Sequence, residues 1–194
     1  MRVHAQGLPL AIVLVFDISA GADQLLTRPD IKQLSDLAGQ RIGYESGAVG
    51  ELMLAKILTE AGLSREQLQV IPLPFYQHES AWSQQTIDAL ITFEPAATKL
   101  KNQGARLLYD SRKLPEILVD VLVIRQDRLQ QRQKALKHLL KAHFRALKHQ
   151  LTSPDDSRFR LSTWLKATPA DINHFYRYPI SFIIIVYWPV TQPY

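Results

Sequence analysis

Read for its alternation of apolar and polar positions, the chain divides into short segments of two kinds. The run "AIVLVF", within residues 8–16, is rich in β-branched residues and suits a buried strand. "TRPDIKQLSDLAGQ" follows as a loop and a short helix, with Gly39 placed to end that helix in a left-handed conformation. A strand, "RIGYE", leads through a glycine-bearing turn into a helix whose apolar face is Leu52, Met53, Ala55, Ile57 and Leu58, closed by Gly62. Ser64 and Gln67 of "SREQ" have capping-box spacing ahead of the strand "LQVIPLP". The scheme repeats with "HESAWSQQT" as a helix, "IDALITF" as a strand, "EPAATKLKNQG" as a helix with Pro95 in its first turn, and "ARLLYD" as a strand. Strands alternating with helices at these spacings predict an α/β layer with a mostly parallel sheet.

A longer strand, "EILVDVLVIR" over residues 116–125, precedes a long helix over residues 126–151. Leu136, Leu139, Leu140, Phe144, Leu147 and Leu151 make an apolar stripe on that helix, with Lys134, Lys137, Lys141, Arg145 and Lys148 mostly off it. A basic amphipathic helix can bind a membrane or an acidic partner; the dispersed charge and the lack of an aromatic belt favour a core-packed helix with a solvated lysine face. "TSPDDSR" reads as a polar loop, after which Thr168 caps and Pro169 opens a last helix. From residue 177 the character changes: three prolines, no acidic residue and an isoleucine-valine run with neither helical period nor clean alternation. An edge strand, an interaction tail and an altered reading frame are all compatible with that end.

Composition adds bounds rather than elements. A chain of 194 residues with 46% hydrophobic content supports one substantial core or two small lobes and argues against disorder. The net charge of +5 is local, its basic residues concentrating after Arg125, so no nucleic-acid partner is implied. With no cysteine there are no disulfides, thiolate metal sites or cysteine nucleophiles. Arg2, the apolar run and "SAGAD" imitate a signal peptide, but Pro9 and Asp17 stand against it and the run suits a strand equally. No stretch reaches transmembrane length; residues 180–190 are about half of what a spanning helix needs.

The candidate chemistry starts from "ESGAVGEL", where Ser46, Gly47, Ala48 and Val49 feed a helix start. The turn lacks both G-x-G-x-x-G and the Walker lysine pattern, so a nucleotide is not expected. Unpaired N–H groups beside a serine hydroxyl can grip a carboxylate, phosphate, sulfonate or nitrate; equally, this can be an ordinary strand-to-helix turn. In "ITFEPAA", Glu94 ends a strand where α/β proteins place ligand contacts, and so can accept hydrogen bonds from a ligand amine or hydroxyl; as a first-turn glutamate it can also merely complement the helix dipole. Asp17, Ser19 and Asp23 in "FDISAGAD" carry the same two readings. Asp120 and Glu94 could be paired as acid and base, yet no spacing links them and no G-x-S-x-G elbow is present. The histidines show no metal spacing, and those on the basic helix read as solvated.

Taken together, residues 16–63, "ITFEPAATKL" and "LLYDSRKLPEILVDVLVIR" resemble the substrate-binding proteins of ABC importers for nitrate, sulfonates, taurine and thiamine-pyrimidine precursors, a family related to pyrimidine-precursor synthesis proteins of yeast. The resemblance runs over about residues 8–176. It implies an α/β, type II periplasmic-binding-protein-like fold, with one near-complete lobe plus part of a second, in a periplasmic or membrane-associated protein. It implies no enzyme, cofactor or metal, and as partners a small-molecule ligand and an ABC permease. Residues 1–19 would be the first crossing strand, 20–115 the second lobe with its ligand-facing helix start, 116–176 the return strand and helices packing on the partial first lobe, and 177–194 a divergent tail. Ser19, Asp23, Ser46, Gly47, Ala48, Val49, Glu94 and Asp120 are the ligand-binding candidates.

Members carry most of the first lobe before this point, so the chain reads as shortened at its N-terminus, with weak binding and self-association through an exposed lobe face expected. A frame-altered end is the leading explanation of residues 177–194. The resemblance also permits a ligand-sensing module of a signalling protein. It permits a pyrimidine-precursor synthesis enzyme as well, but the eukaryotic members use a histidine and a cysteine-rich motif, and this chain has no cysteine.

Overall fold

The computed structural model describes residues 7–114, 117–165, 168, 172 and 188–189. The chain forms two compact units, one of residues 19–118 and one of the segments on either side, so that it leaves the outer unit after Ile18 and re-enters it at Val119.

In the unit of residues 19–118, β2 (Gln24–Thr27), β3 (Arg41–Tyr44), β4 (Gln69–Pro72), β5 (Ala89–Thr92) and β6 (Arg106–Asp110) form one sheet in the order β4-β3-β5-β2-β6. β3 is parallel to β4 and β5, whereas β2 is antiparallel to both β5 and β6. Four strands therefore share one direction, but two of the four pairings are antiparallel, which corrects the expectation of a mostly parallel sheet. The cause is β2, a four-residue strand buried at every position and too short to show a period.

The sheet is covered on both faces, which explains why its strands read as unbroken apolar runs. Strand alternation sends Leu25, Ala89 and Ile91 to one face and Leu26 and Leu90 to the other. Helix α1 (Ala48–Ala61) covers the first face with Met53, Leu54 and Ile57. Here Leu54, not the predicted Ala55, is buried, and Ala55 is exposed. Helices α2 (His78–Ser83) and α3 (Ala96–Asn102) cover the second face with Ala81, Trp82, Ala97 and Leu100. Gly39 holds the predicted left-handed conformation, at φ 76°, and Gly62, which closes α1, adopts the same one at 67°. A two-pronged ion pair fastens the sheet: Arg41 Nε donates to Asp88 Oδ2 at 2.8 Å and its Nη2 to Oδ1 at 2.6 Å.

In the other unit, β1 (Leu10–Ile18) pairs antiparallel with β7 (Val119–Arg125), with register shifts between Ile12 and Leu14 and between Val15 and Asp17. A two-residue strand, β8 (Trp188–Pro189), pairs with β1 on its other side. The rest of the divergent tail, and most of the helix expected from Thr168, lie outside the described residues. Helix α4 (Leu129–Thr152) is followed by α5 (Pro154–Leu165), which occupies the stretch read as a polar loop. Its start signal was present in the sequence: Ser153 precedes Pro154 at the first helical position, with Asp155 and Asp156 in the first turn.

The expectation that α4 is packed into a core is also corrected. No residue of α4 is buried. Leu129, Leu136, Leu140, His143 and Leu147 form a half-buried line, while Leu139, Phe144 and Leu151 are exposed. His143, read as solvated, sits on that line with its ring edge-on to Phe16, 5.2 Å between centroids.

Candidate functional site

Because β3, β4, β5 and β6 run one way and β2 the other, the C-terminal ends of four strands and the N-terminal end of β2 share one edge of the sheet. Open α/β sheets place ligands beyond this edge. Seven of the eight predicted residues lie there: Ser46, Gly47, Ala48 and Val49 after β3, Glu94 after β5, and Ser19 and Asp23 before β2. Asp120 does not join them. It lies on β7 in the other unit, in register with Asp17 of β1. These two carboxylates, with Phe16, Val121, His143, Leu147 and Trp164, line an open groove of about 930 Å³.

The turn at Ser46 is built around α1. Gly47 caps the helix in an extended conformation, φ −151°, without a side-chain cap, and its carbonyl accepts the Glu51 N–H at 3.0 Å. No obstacle lies within 4 Å of a Cβ at Gly47, so this position does not require glycine. Gly50 does: a Cβ there would stand 2.1 Å from the Glu45 carbonyl oxygen. The first turn's acidic residue, Glu51, is drawn into the fold. It accepts from Tyr44 Oη at 2.7 Å and from Arg65 at 3.0 Å, and Arg65 also donates to Tyr44 Oη at 2.9 Å.

Ser19, Asp23 and one oxygen of Glu94 are committed to structure. Ser19 Oγ donates to Asp23 Oδ2 at 2.6 Å, so in its 2.7 Å contact with Ser111 Oγ it is the acceptor. Ser111 Oγ in turn accepts the Gly21 N–H at 2.7 Å, and the Ser111 N–H donates to the Asp23 carbonyl at 2.9 Å. Glu94 Oε2 accepts the Thr98 N–H at 3.0 Å, and Lys101 Nζ stands 3.6 Å from Oε1. The helix-start role weighed for Glu94 is thus formed. Asp23 is therefore not a loose carboxylate, whereas Glu94 keeps a buried Oε1 that has no hydrogen-bond partner.

Sequence reasoning missed the aromatic part of this edge. Phe75 follows β4 and Phe93 follows β5, and their rings stack at 4.5 Å with planes 11° apart. Since β3 lies between those strands, the pair spans the strand end from which Ser46 leads into α1. Fully buried His78 supports it, edge-on to Phe75 at 5.4 Å. Its Nε2 faces the Leu73 carbonyl at 3.3 Å, which can only accept, so Nε2 carries the proton and Nδ1 accepts from Thr92 Oγ1 at 3.0 Å. Burial holds the His78 pKa below its ordinary value, outweighing the upward pull of the Leu73 carbonyl and Glu45. The signal available in sequence was an aromatic residue just after each of two neighbouring parallel strands. Among the described residues no group of three His, Asp or Glu side chains could hold a metal ion, and no helix is long and apolar enough to cross a membrane.

A mixed sheet clothed on both faces, entered and left through adjoining β1 and β7, is an α/β fold like that of the type II periplasmic-binding proteins. The alkanesulfonate-binding protein SsuA of Xanthomonas axonopodis pv. citri, bound to MOPS, superposes with a TM-score of 0.79 at 18% identity, covering 92% of this chain and 63% of that one. The periplasmic nitrate-binding protein NrtA of Synechocystis PCC 6803 gives a TM-score of 0.66 at 16% identity, covering 83% and 47%. The family model described as NMT1/THI5 like matches residues 1–157, and the chain belongs to that family. A candidate binding protein of Brucella abortus (strain 2308) is 23% identical over 155 residues, covering 78% of this chain and 49% of the relative. The chain thus spans about half the length of the curated relatives it matches.

Proposed function

We propose that the unit of residues 19–118 binds a small polar or anionic solute, as part of the solute-binding component of a periplasmic ABC importer with a membrane permease as partner. The observation that carries this reading is the sheet edge that Ser19, Asp23 and Glu94 share with Ser46, Gly47, Ala48 and Val49 at the start of α1, a helix that lacks a side-chain cap. Membership of the NMT1/THI5-like family and the likeness to proteins named for alkanesulfonate and nitrate binding support it. In this reading the N–H groups opening α1 are the ligand's main donors, because an anion at a helix start gains from both the free donors and the dipole. Ser46, which is exposed, adds a hydroxyl. Ser19, Asp23 and Glu94 shape the rim. Coupling to lobe closure follows if the ligand has higher affinity for the closed arrangement.

Titration calorimetry of the chain with nitrate, alkanesulfonates, taurine and an aminopyrimidine tests the proposal. Binding of at least one ligand is expected, with a dissociation constant on the order of a millimolar or below. Ser46→Asp places a negative charge at the α1 start and should weaken an anionic ligand at least about tenfold while leaving the fold intact. Absence of binding by all four classes, or binding indifferent to Ser46→Asp, would overturn it.

A further inference from the structure

The cationic side of α4 has no use in the site just described. The helix carries six arginine and lysine residues and no acidic one. Lys134, Lys137, Lys141, Arg145 and Lys148 recur at intervals of three, four, four and three, which places them along one face. All five are exposed. Among the described residues none of the five side chains is in an ion pair, although Asp155 and Asp156 at the start of α5 are both paired, with Arg158 and with Arg160 and His149.

Two exposed apolar side chains border this row. Phe144 lies three residues after Lys141 and four before Lys148, and Leu151 three after Lys148, so each is a surface neighbour of a cation. They are 43% and 72% exposed, which decides that the half-buried line of α4 does not absorb them. Phe144 is the one aromatic side chain of α4, and it stands at the edge of the row.

We infer that this face of α4 docks on the surface of an anionic lipid bilayer, the cations meeting headgroup phosphates and Phe144 and Leu151 entering the headgroup boundary. A nucleic acid would neutralise the same cations but offers no medium for an exposed leucine at the row's edge. A bilayer takes both parts, and lysine and arginine on one side with leucine and phenylalanine beside them is the composition of helices that lie in that interface. The inference is independent of the ligand proposed above.

The test is co-sedimentation of the full chain with vesicles of phosphatidylglycerol and phosphatidylcholine in equal parts, against vesicles of phosphatidylcholine alone. Binding to the anionic vesicles only, falling as salt is raised, is expected. Replacing Lys137, Lys141 and Lys148 together by Gln should lower partitioning about 100-fold, at about one kcal/mol for each cation near the surface. Leu151→Gln, which leaves the charge unchanged, should lower it several-fold. Both variants alter exposed side chains, and an unchanged far-UV circular dichroism spectrum establishes that they fold. Equal partitioning on neutral vesicles, no binding to either, or partitioning unmoved by Leu151→Gln, as a purely electrostatic nucleic-acid face would give, would overturn the inference. So would sizing that shows the row buried between two copies of the chain, with partitioning unaffected by the triple replacement.

Discussion

Gly50→Ala distinguishes the local geometry of the α1 start from ordinary helix energetics, because the two predict opposite signs. Within a helix, replacing Gly by Ala normally stabilises by about 1 kcal/mol, since the unfolded chain loses freedom and the helix gains a better former. Gly50 lies in the first turn of α1, so propensity alone predicts a more stable protein. The space around it predicts otherwise. Its new Cβ would meet the Glu45 carbonyl oxygen at 2.1 Å and the Tyr44 ring at 3.2 Å. A carbon normally approaches a carbonyl oxygen no closer than about 3.3 Å, so the strand end and the helix start must separate by roughly 1.2 Å. The obstacle is backbone, which cannot swing aside as a side chain would.

Forced separation of this kind costs about 1–3 kcal/mol, and its upper part applies here, leaving a net loss of about 1–2 kcal/mol after the propensity gain. Urea unfolding followed by far-UV circular dichroism measures it, and a thermal midpoint lower by about 5 °C or more should accompany it for a unit of this size. Gly47→Ser is the control. With nothing within 4 Å of its Cβ, it should be neutral or add a few tenths of a kcal/mol as a helix cap. Because Glu45 directly precedes Ser46, Gly50→Ala should also weaken any ligand held at the α1 start. A Gly50→Ala protein as stable as the parent, or more so, would refute the account of this turn.

Other perturbations follow from the same structure. His78 is buried and its pKa is held below the ordinary 6.5, so the unfolded chain takes up that proton first. Its contribution to stability is present above about pH 6.5 and lost as the pH falls from there through the folded value; urea midpoints against pH should show this slope, and His78→Gln should flatten it. Arg41 holds the Asp88 carboxyl below its ordinary 3.8, so that pair's contribution survives to lower pH and disappears as the pH falls from 3.8 through the folded value. Asp88→Asn should cost about 1–2 kcal/mol by equilibrium unfolding near neutrality and remove that acid limb. Ser111→Ala leaves the buried Gly21 N–H without its acceptor and should cost about 1–3 kcal/mol, although Ser111 was not among the predicted residues.

The elements that were legible in the sequence are those with a period long enough to read. Helix α1 announced itself by its apolar face and Gly62, and α4 by its leucine repeat, whereas β2 escaped because four residues buried on both faces show no alternation. Helix α5 was misread because "SPDD" looks polar, although serine, proline and two acids in that order are a helix start. The α4 misreading has a different cause. A periodic apolar stripe shows that a helix has a side to bury, but not that a core stands opposite it. The candidate edge was legible as a set of strand ends, while the Phe75–Phe93 stack was not, because two aromatics 18 residues apart meet only through the strand order β4-β3-β5.

The geometry also reorders the candidates by what each still has to offer. Ser19 spends its proton on Asp23, Glu94 spends an oxygen on the Thr98 N–H, and Glu51 is held by Tyr44 and Arg65. Recruiting Ser19 or Glu51 to a ligand would break a bond that holds a loop or a helix start, at about 1 kcal/mol or more each, whereas Glu94 still has a buried Oε1 without a hydrogen-bond partner. The backbone at the α1 start carries no such debt, since Gly47 supplies no side-chain cap and Ser46 is exposed. An anionic ligand therefore gains most at the turn and least at the rim. Removing the Ser19 hydroxyl should accordingly cost stability more than affinity, while a charge at Ser46 should cost affinity more than stability. Measured in parallel, Ser19→Ala and Ser46→Asp must show that crossed pattern; both variants losing affinity alike at unchanged stability would mean that the rim, not the helix start, holds the ligand.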